Sequence, residues 1–175
     1  MESIKLVFPT KNHEKLIEDF VKECKTYPTE MDGMSNVAEI PFFEWLEKVK
    51  LDYAGLSNDP SRVPATTFLV FNDNTLVGFV NIRHVLNPFL NRVGGHIGYM
   101  VRPLQRRKGF AKALLKEALK YCKYELKLRS VLVTCDHDNE ASKRTIRANG
   151  GNYENTVNDE TYGEVERYWI NLNAL

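Results

Sequence analysis

The strongest constraint in this sequence is a basic turn at the start of its clearest helix. Arg106, Arg107 and Lys108 precede Gly109, and the following segment, 110–126, carries apolar residues along one helical face. A helix N-terminus is already electropositive, so three cations there oppose the usual preference for acidic residues. A bound polyphosphate would resolve this conflict, and the alternative is a solvated basic turn with a helix-starting glycine.

The apolar pattern predicts a mixed sheet flanked by helices, an α/β fold class. The predicted order is strand, two helices, three strands, helix, strand, helix and two strands. Predicted strands are 3–8, 66–71, 76–84, 96–101, 130–135, 152–157 and 162–172, and predicted helices start at Lys11 and Pro41 and span 110–126 and 140–148. The early hairpins predict antiparallel pairing, whereas the later strand–helix–strand stretch predicts parallel pairing with right-handed crossovers.

Size and charge narrow the possible classes of protein. A chain of 175 residues is expected to form one domain, 1–175. The net charge of +1 argues against a nucleic-acid partner, and no apolar run reaches the length of about 20 residues that a membrane span needs. Cys24, Cys122 and Cys135 are expected to be reduced thiols of a cytoplasmic protein. No metal is expected, because three adjacent residues, 136–138 (Asp-His-Asp), cannot all face one ion.

The basic turn lacks the spacing of nucleotide-hydrolysing and dinucleotide-binding loops. Instead, residues 106–111 (RRKGFA) resemble the R/Q-x-x-G-x-G/A signature of the GNAT superfamily of acyl-CoA-dependent N-acyltransferases. Residues 98–103 (GYMVRP) are similar to the GNAT strand that precedes this motif. Residues 139–142 (NEAS) with 149–151 (NGG) are similar to the second GNAT motif. The resemblance implies the GNAT fold, acetyl-CoA as co-substrate, and direct acetyl transfer to a primary amine without a metal.

The resemblance also assigns roles to individual residues. It implies that backbone groups of Met100 and Val101 pair with the pantetheine amides, and that the N–H of Met100, or that of Val101, stabilises the oxyanion. Asn139 is expected to reach the pantetheine or to cap its helix, and Ser142 to lie beside it. The residues expected to bind the pyrophosphate are Arg106, Arg107, Lys108, Gly109, Phe110 and Ala111.

A general base is expected on the strand before the basic turn. His96 lies on that strand, and an imidazole titrates near neutral pH, so we take His96 as the candidate base. Strand alternation places His96, Gly98 and Met100 on one face. His84 and Arg83 are second candidates on the acceptor side, and the alternative for His96 is a structural hydrogen bond within the sheet.

One departure from the GNAT pattern affects the proposed chemistry. Many members carry a tyrosine seven residues after the motif asparagine, as general acid to the departing thiolate, and Ile146 occupies that position here. Candidate substitute donors are Tyr99, Tyr153, Tyr162 and Tyr168, and the alternative for each is an aromatic residue that only packs in the core or on a strand. A catalytically weak acyl-CoA sensor and an anion-binding interaction domain therefore remain alternatives to an enzyme. The amine acceptor, a small molecule or a protein, stays open, and so does oligomerisation.

Overall fold

The structure is a computed structural model that describes residues 4–27 and 29–175. Its helices and strands follow the predicted order. They are β1 (Ile4–Val7), α1 (Glu14–Thr26), α2 (Phe42–Ala54), β2 (Ala65–Asn72), β3 (Thr75–Arg83), β4 (Ile97–Val101), α3 (Phe110–Tyr124), β5 (Ser130–Asp136), α4 (Glu140–Arg147), β6 (Gly151–Asp159) and β7 (Gly163–Asn171). Residue 3, assigned above to the first strand, lies outside the described residues. No helix in the described ranges is long and apolar enough to cross a membrane.

The strands form two sheets, in the orders β1-β2-β3-β4 and β5-β7-β6. The α/β class and the flanking helices are confirmed, but every strand ladder among the described residues is antiparallel. The expected single mixed sheet, with parallel pairing among β4, β5 and β6, is wrong. β5 and β6 each pair with β7, and β4 and β5 share no ladder among the described residues. The two strands are instead joined at one place, where the His96 N–H donates to the Leu132 carbonyl at 2.7 Å. We call His96 and Leu132 the sheet joint.

Apolar residues cover both faces of the first sheet. One core cluster packs α3 against β2, β3 and β4 and extends to β5 and β7, and the other packs α1 and α2 on the opposite face. Strand alternation divides β4 between them, since Ile97 and Val101 belong to the α3 side and Met100 to the α1 and α2 side. The predicted alternation in this strand is therefore confirmed for these residues.

The connection between α1 and α2 lies directly on β4. A Cβ atom on Gly33 would overlap the carbonyl oxygen of Gly98 and come within 2.9 Å of the Cα of Tyr99. Gly33 also has a φ of +72°, a conformation that glycine adopts without a steric penalty. The indole N–H of Trp45 donates to the carbonyl of Met34 at 2.9 Å and holds the connection in place. This contact brings acidic residues 30 and 32 close to β4.

Candidate functional site

Residues 107–111, which we call the cradle, present backbone N–H groups at the start of α3. Arg107 and Gly109 have φ values of +61° and +85°, and left-handed residues of this kind occur in the backbone turns whose N–H groups bind anions. The first helical bond runs from the Ala113 N–H to the Gly109 carbonyl at 3.2 Å, so the preceding N–H groups lie ahead of the helical ladder. A Cβ on Gly109 would meet no atom within 4 Å. The cradle therefore has the donors and the open space that a pyrophosphate needs.

The three cations of the basic turn have different environments. Arg106 is used within the protein: its Nε donates to the Val101 carbonyl at 3.2 Å, its guanidinium contacts the Thr29 hydroxyl, and its N–H donates to the Pro103 carbonyl at 3.3 Å. All three residues are exposed. The Lys108 Nζ donates to the Gln105 Oε1 at 2.9 Å, and because this partner is neutral the charge of Lys108, like that of Arg107, is available to an anion. The side chains of Phe110 and Ala111 pack against the α3-side core. Arg106 therefore has structural contacts of its own, and its expected contact with the pyrophosphate stays a prediction.

A carboxylate on α1 fixes the turn that leads into the cradle. Glu23 accepts a bond from the Arg102 Nε at 2.5 Å and another from the Leu104 N–H at 2.9 Å. Both Glu23 and Arg102 are largely buried, which strengthens a charge-assisted bond relative to one in water. Residues 23 and 102 lie 79 positions apart along the chain, so no local sequence pattern indicates this contact.

The hydrogen-bond alternation of β4 decides which backbone groups face β5. The Arg83 N–H donates to the His96 carbonyl and the Arg102 N–H to the Val77 carbonyl, both at 2.8 Å. In an antiparallel pair every second residue bonds to the partner strand, so the register directs the Met100 N–H to Phe79. The expected oxyanion role of the Met100 N–H does not fit this geometry. The N–H groups on the free side of β4 belong to Ile97, Tyr99 and Val101.

The same alternation applies to β5. The Leu172 N–H donates to the Arg129 carbonyl and the His137 N–H to the Glu164 carbonyl, both at 2.9 Å. Leu132 and the alternate residues Thr134 and Asp136 therefore direct their backbone groups away from β7. The free sides of the two strands border a space beyond the sheet joint, which we call the β4–β5 gap.

The environment of His96 does not suit a general base. Its Nδ1 accepts a bond from the Leu132 N–H at 2.9 Å, so the neutral ring carries its proton on Nε2 and has no free lone pair. Burial, reinforced by the positive charge of Arg83, lowers the pKa of His96 to about 4. His84 is also engaged, because its Nε2 lies 2.7 Å from the Thr66 hydroxyl, and burial lowers its pKa. Arg83 donates to the Gly94 carbonyl at 3.2 Å.

The start of α4 brings three of the expected residues together. The Asn139 side chain accepts the Ser142 N–H at 3.0 Å, which makes Asn139 the N-cap of α4. The Ser142 hydroxyl lies 3.3 Å from the Tyr99 hydroxyl, which arrives from β4. Burial raises the pKa of Tyr99 to about 12, so its hydroxyl suits hydrogen-bond donation better than full proton transfer.

The other substitute tyrosines lie elsewhere. Tyr153 and Tyr162 are exposed, and the Tyr168 hydroxyl donates to the carboxylate of Glu166. Ile146 is fully buried in the α3-side core, so its position offers no hydroxyl to a ligand. Among the candidates, Tyr99 is the tyrosine that contacts the motif residue Ser142.

Two carboxylates border the gap. Asp32 precedes Gly33, which touches β4, and Asp136 ends β5. Burial raises the pKa of Asp32 and the negative charge of Asp136 raises it further, whereas Arg83 opposes the shift. The sequence does not indicate a role for Asp32, because only the fold of the α1–α2 connection brings this residue to the gap.

No group of three or more His, Cys, Asp or Glu side chains within 4–27 and 29–175 could hold a metal ion. A cavity of about 600 Å³ lies between the ends of α2 and α3 and shares no residue with the cradle or the gap. The candidate site is therefore defined by the free strand edges and the cradle, and not by this cavity.

The family comparison agrees with this combination of fold, cradle and gap. The Acetyltransferase (GNAT) family model matches residues 18–150, which is more than half of the chain, so the protein belongs to the GNAT family. No curated protein matches the chain in sequence.

Solved structures extend the likeness over nearly the whole chain. The ribosomal alpha-N-protein acetyltransferase RimL, in complex with coenzyme A, matches with 18% identity, a TM-score of 0.73, and 99% of this chain and 96% of that chain covered. A spermidine N-acetyltransferase SpeG chimera from Vibrio cholerae and hSSAT matches with 20% identity, a TM-score of 0.68, and 98% and 97% covered. The microcin self-immunity acetyltransferase MccE, in complex with acetyl-CoA and AMP, matches with 13% identity, a TM-score of 0.74, and 98% and 93% covered. At these identities the similarity establishes the fold.

Proposed function

We propose that this protein is an N-acetyltransferase that moves the acetyl group of acetyl-CoA directly to a primary amine, with residues 1–175 acting as one GNAT domain. The observation that carries the proposal is the cradle, where unshared N–H groups, the exposed cations of the basic turn and an unobstructed Gly109 lie together. A pyrophosphate is the part of coenzyme A that such a group of donors would bind.

The free edges of the β4–β5 gap supply the remaining contacts. Backbone groups of Tyr99 and Val101 would pair with the pantetheine amides, as an added strand pairs with a sheet edge. In the reaction the amine nitrogen forms a bond to the thioester carbon, the amine loses a proton, and the carbon–sulfur bond breaks. An N–H of Tyr99 or Val101 would stabilise the oxyanion, and the Tyr99 hydroxyl would donate a hydrogen bond to the departing sulfur.

The acceptor side favours a cationic amine. Asp32 and Asp136 place negative charge beside the gap, which attracts an ammonium group before it is deprotonated. Asp32 is our candidate for receiving the amine proton, because its raised pKa brings it closer to the range in which a base works. Two kinds of acceptor occur among similar structures, the α-amine of a protein and the polyamine spermidine.

Release of free CoA thiol from acetyl-CoA tests the proposal. The wild-type protein is incubated with spermidine, with short peptides that have free or blocked N-termini, and with no amine, and the acetylated product is identified by mass spectrometry. The proposal expects amine-dependent thiol release, and Asp32→Asn should lower kcat/KM by about 10²-fold to 10⁴-fold. The Asp73→Asn variant, on the β2–β3 turn, is the control for loss of one carboxylate. Thiol release that is equal with and without every amine would contradict the proposal.

A second candidate function is an acyl-CoA sensor, which the burial of Ile146 at the usual tyrosine position favours. A sensor would bind acetyl-CoA tightly and would release no thiol with any amine. Thermal unfolding with acetyl-CoA and with ATP separates both candidates from a general anion-binding domain, which would respond to either ligand.

The three free and buried cysteines fit a reducing compartment, and we propose the cytoplasm.

A further inference from the structure

His96 has an unusual position in the backbone hydrogen-bond pattern. Its carbonyl accepts the Arg83 N–H on β3, whereas its own N–H donates to the Leu132 carbonyl on β5. In a regular strand the N–H and C=O of one residue point to the same neighbour. Residue 96 is therefore the point where the backbone turns from one sheet to the other, just before β4 begins.

This turn leaves one group of Leu132 without the partner that a regular ladder would provide. Leu132 directs both its N–H and its C=O toward β4, and the C=O is satisfied by the His96 N–H. The His96 carbonyl points toward β3, where it accepts the Arg83 N–H, and so it does not face the Leu132 N–H. The imidazole Nδ1 accepts it instead, at 2.9 Å. The side chain thus replaces the missing backbone carbonyl.

We propose that His96 is a positioning residue whose Nδ1 closes the sheet joint and so sets the width of the β4–β5 gap. The role rests on the proposed function, because the gap is where acetyl-CoA would bind. His96 is 6% exposed and Leu132 is fully buried, so an unpaired Leu132 N–H would lack water as an alternative partner. The strands beyond the joint, Ile97–Val101 and Leu132–Asp136, carry the free edges that would receive the pantetheine.

Neighbouring groups support a neutral ring in this role. Arg83 from β3 places a positive charge beside His96, and the Trp169 ring from β7 lies 6.4 Å from the imidazole, centroid to centroid. A protonated ring would carry hydrogens on both nitrogens and could not accept the Leu132 N–H. The surroundings therefore favour the one protonation state that closes the joint.

Two substitutions separate this role from a catalytic base. In asparagine the Oδ1 is attached to Cγ, as Nδ1 is in histidine, so His96→Asn keeps an acceptor at the same number of bonds from the backbone. In glutamine the acceptor is one bond further away, and His96→Gln therefore removes it from the Leu132 N–H. We expect His96→Asn to keep kcat and the acetyl-CoA KM within about threefold of wild type. We expect His96→Gln to raise the acetyl-CoA KM at least about tenfold, since a buried donor is left unpaired.

The outcomes distinguish the alternatives. If His96 were the base, both variants would lose the same large part of kcat, and both would change the pH profile of kcat. That result would overturn the proposal. Equal wild-type kinetics in both variants would also overturn it. Absence of any acetyl transfer by the wild type would contradict the proposed function instead, and acetyl-CoA affinity measured by calorimetry would then replace KM in the comparison.

A measurement on the unmodified protein covers the case in which a variant does not fold. The ¹⁵N chemical shifts of the His96 ring at pH 7 should show an unprotonated Nδ1 and a protonated Nε2. The Leu132 amide should exchange with solvent as slowly as its neighbours within the β5–β7 ladder. A protonated Nδ1, or fast exchange at Leu132, would overturn the proposal whatever the enzyme's activity.

Discussion

The cradle and the sheet joint use backbone hydrogen-bonding groups in opposite ways. In the cradle, N–H groups of residues 107–111 precede the helical ladder and face open space around Gly109. At the joint, the N–H and C=O of both His96 and Leu132 are bonded, and a side chain supplies the one acceptor that the backbone lacks. Unshared donors make the first region suited to binding an anion. Complete pairing makes the second region suited to holding two sheets in place.

The largest effect should come from filling the cradle. Gly109→Val would place carbon where a pyrophosphate oxygen is expected, and acetyl-CoA affinity should fall about 10³-fold, equal to about 4 kcal/mol. Gly163 is a matched control, since it also has a positive φ, +69°, and a Cβ there also meets no atom within 4 Å. Gly163→Val should lose a similar amount of stability and keep acetyl-CoA affinity. Calorimetry and urea unfolding of both variants measure the two quantities, and equal affinities would remove the cradle from the binding site.

The joint should respond to acid. The pKa of His96 is about 4 in the folded protein and about 6.5 when unfolded, so its contribution to stability is complete above pH 6.5 and is lost as pH falls toward 4. Between pH 7 and pH 4.5 the wild type should lose about 2.5 kcal/mol more than His96→Asn, which has no ring to protonate. Urea unfolding at the two pH values measures the difference. Parallel losses in the two proteins would show that the ring is not held neutral by the fold.

A smaller effect, on kcat, is expected from loss of the Tyr99 hydroxyl, which lies where β4 meets α4. Tyr99→Phe should lower kcat about tenfold, because a hydrogen bond to a charged sulfur would be lost, and should leave the acetyl-CoA KM unchanged. The effect should shrink with a thioester whose thiol is more acidic. Tyr153→Phe is the control, since Tyr153 is exposed and its hydroxyl contacts Thr156 at 2.8 Å. Equal kcat values for the two variants would exclude Tyr99 as the donor.

The smallest effect separates the two possible roles of Asn139. Asn139→Ala removes the cap of α4 and should cost about 1 kcal/mol of unfolding free energy. Asn139→Asp keeps the acceptor for the Ser142 N–H and should keep stability, but it lacks an amide donor. Unchanged acetyl-CoA affinity in Asn139→Asp would make capping the whole role of this residue.

The sequence predicted the cradle better than the joint, for a physical reason. Gly109 and α3 belong to one continuous segment, and the electrostatic conflict of residues 106–108 is visible in the local order of residues. The joint depends on the direction of a single carbonyl, that of His96, and on Leu132, which lies 36 positions away along the chain. The periodicity of the sequence identified both strands correctly but could not show that a side chain would replace the ladder between them.

The sequence alone also could not show which of several chemically similar residues serves a given role in the site. Met100 and Val101 are adjacent, and only the register with β3 directs the N–H of one toward Phe79 and that of the other toward the gap. Asp32 lies in a turn-rich stretch without periodicity, so its approach to β4 depends on tertiary packing. Arg106 was grouped with its neighbours because all three are cations, whereas its contacts with Thr29 and Val101 are internal.

The contact between Gly33 and Gly98 limits how this sequence can change over time. A methyl group at position 33 would overlap the Gly98 carbonyl. Because this carbonyl belongs to the main chain, no change of side chain at position 98 would remove the overlap. Replacement of Gly33 therefore requires the α1–α2 connection to move off β4, taking the acidic residues with it. Descendants of this protein that lose Gly33 are expected to change their choice of acceptor before they lose the ability to use acetyl-CoA.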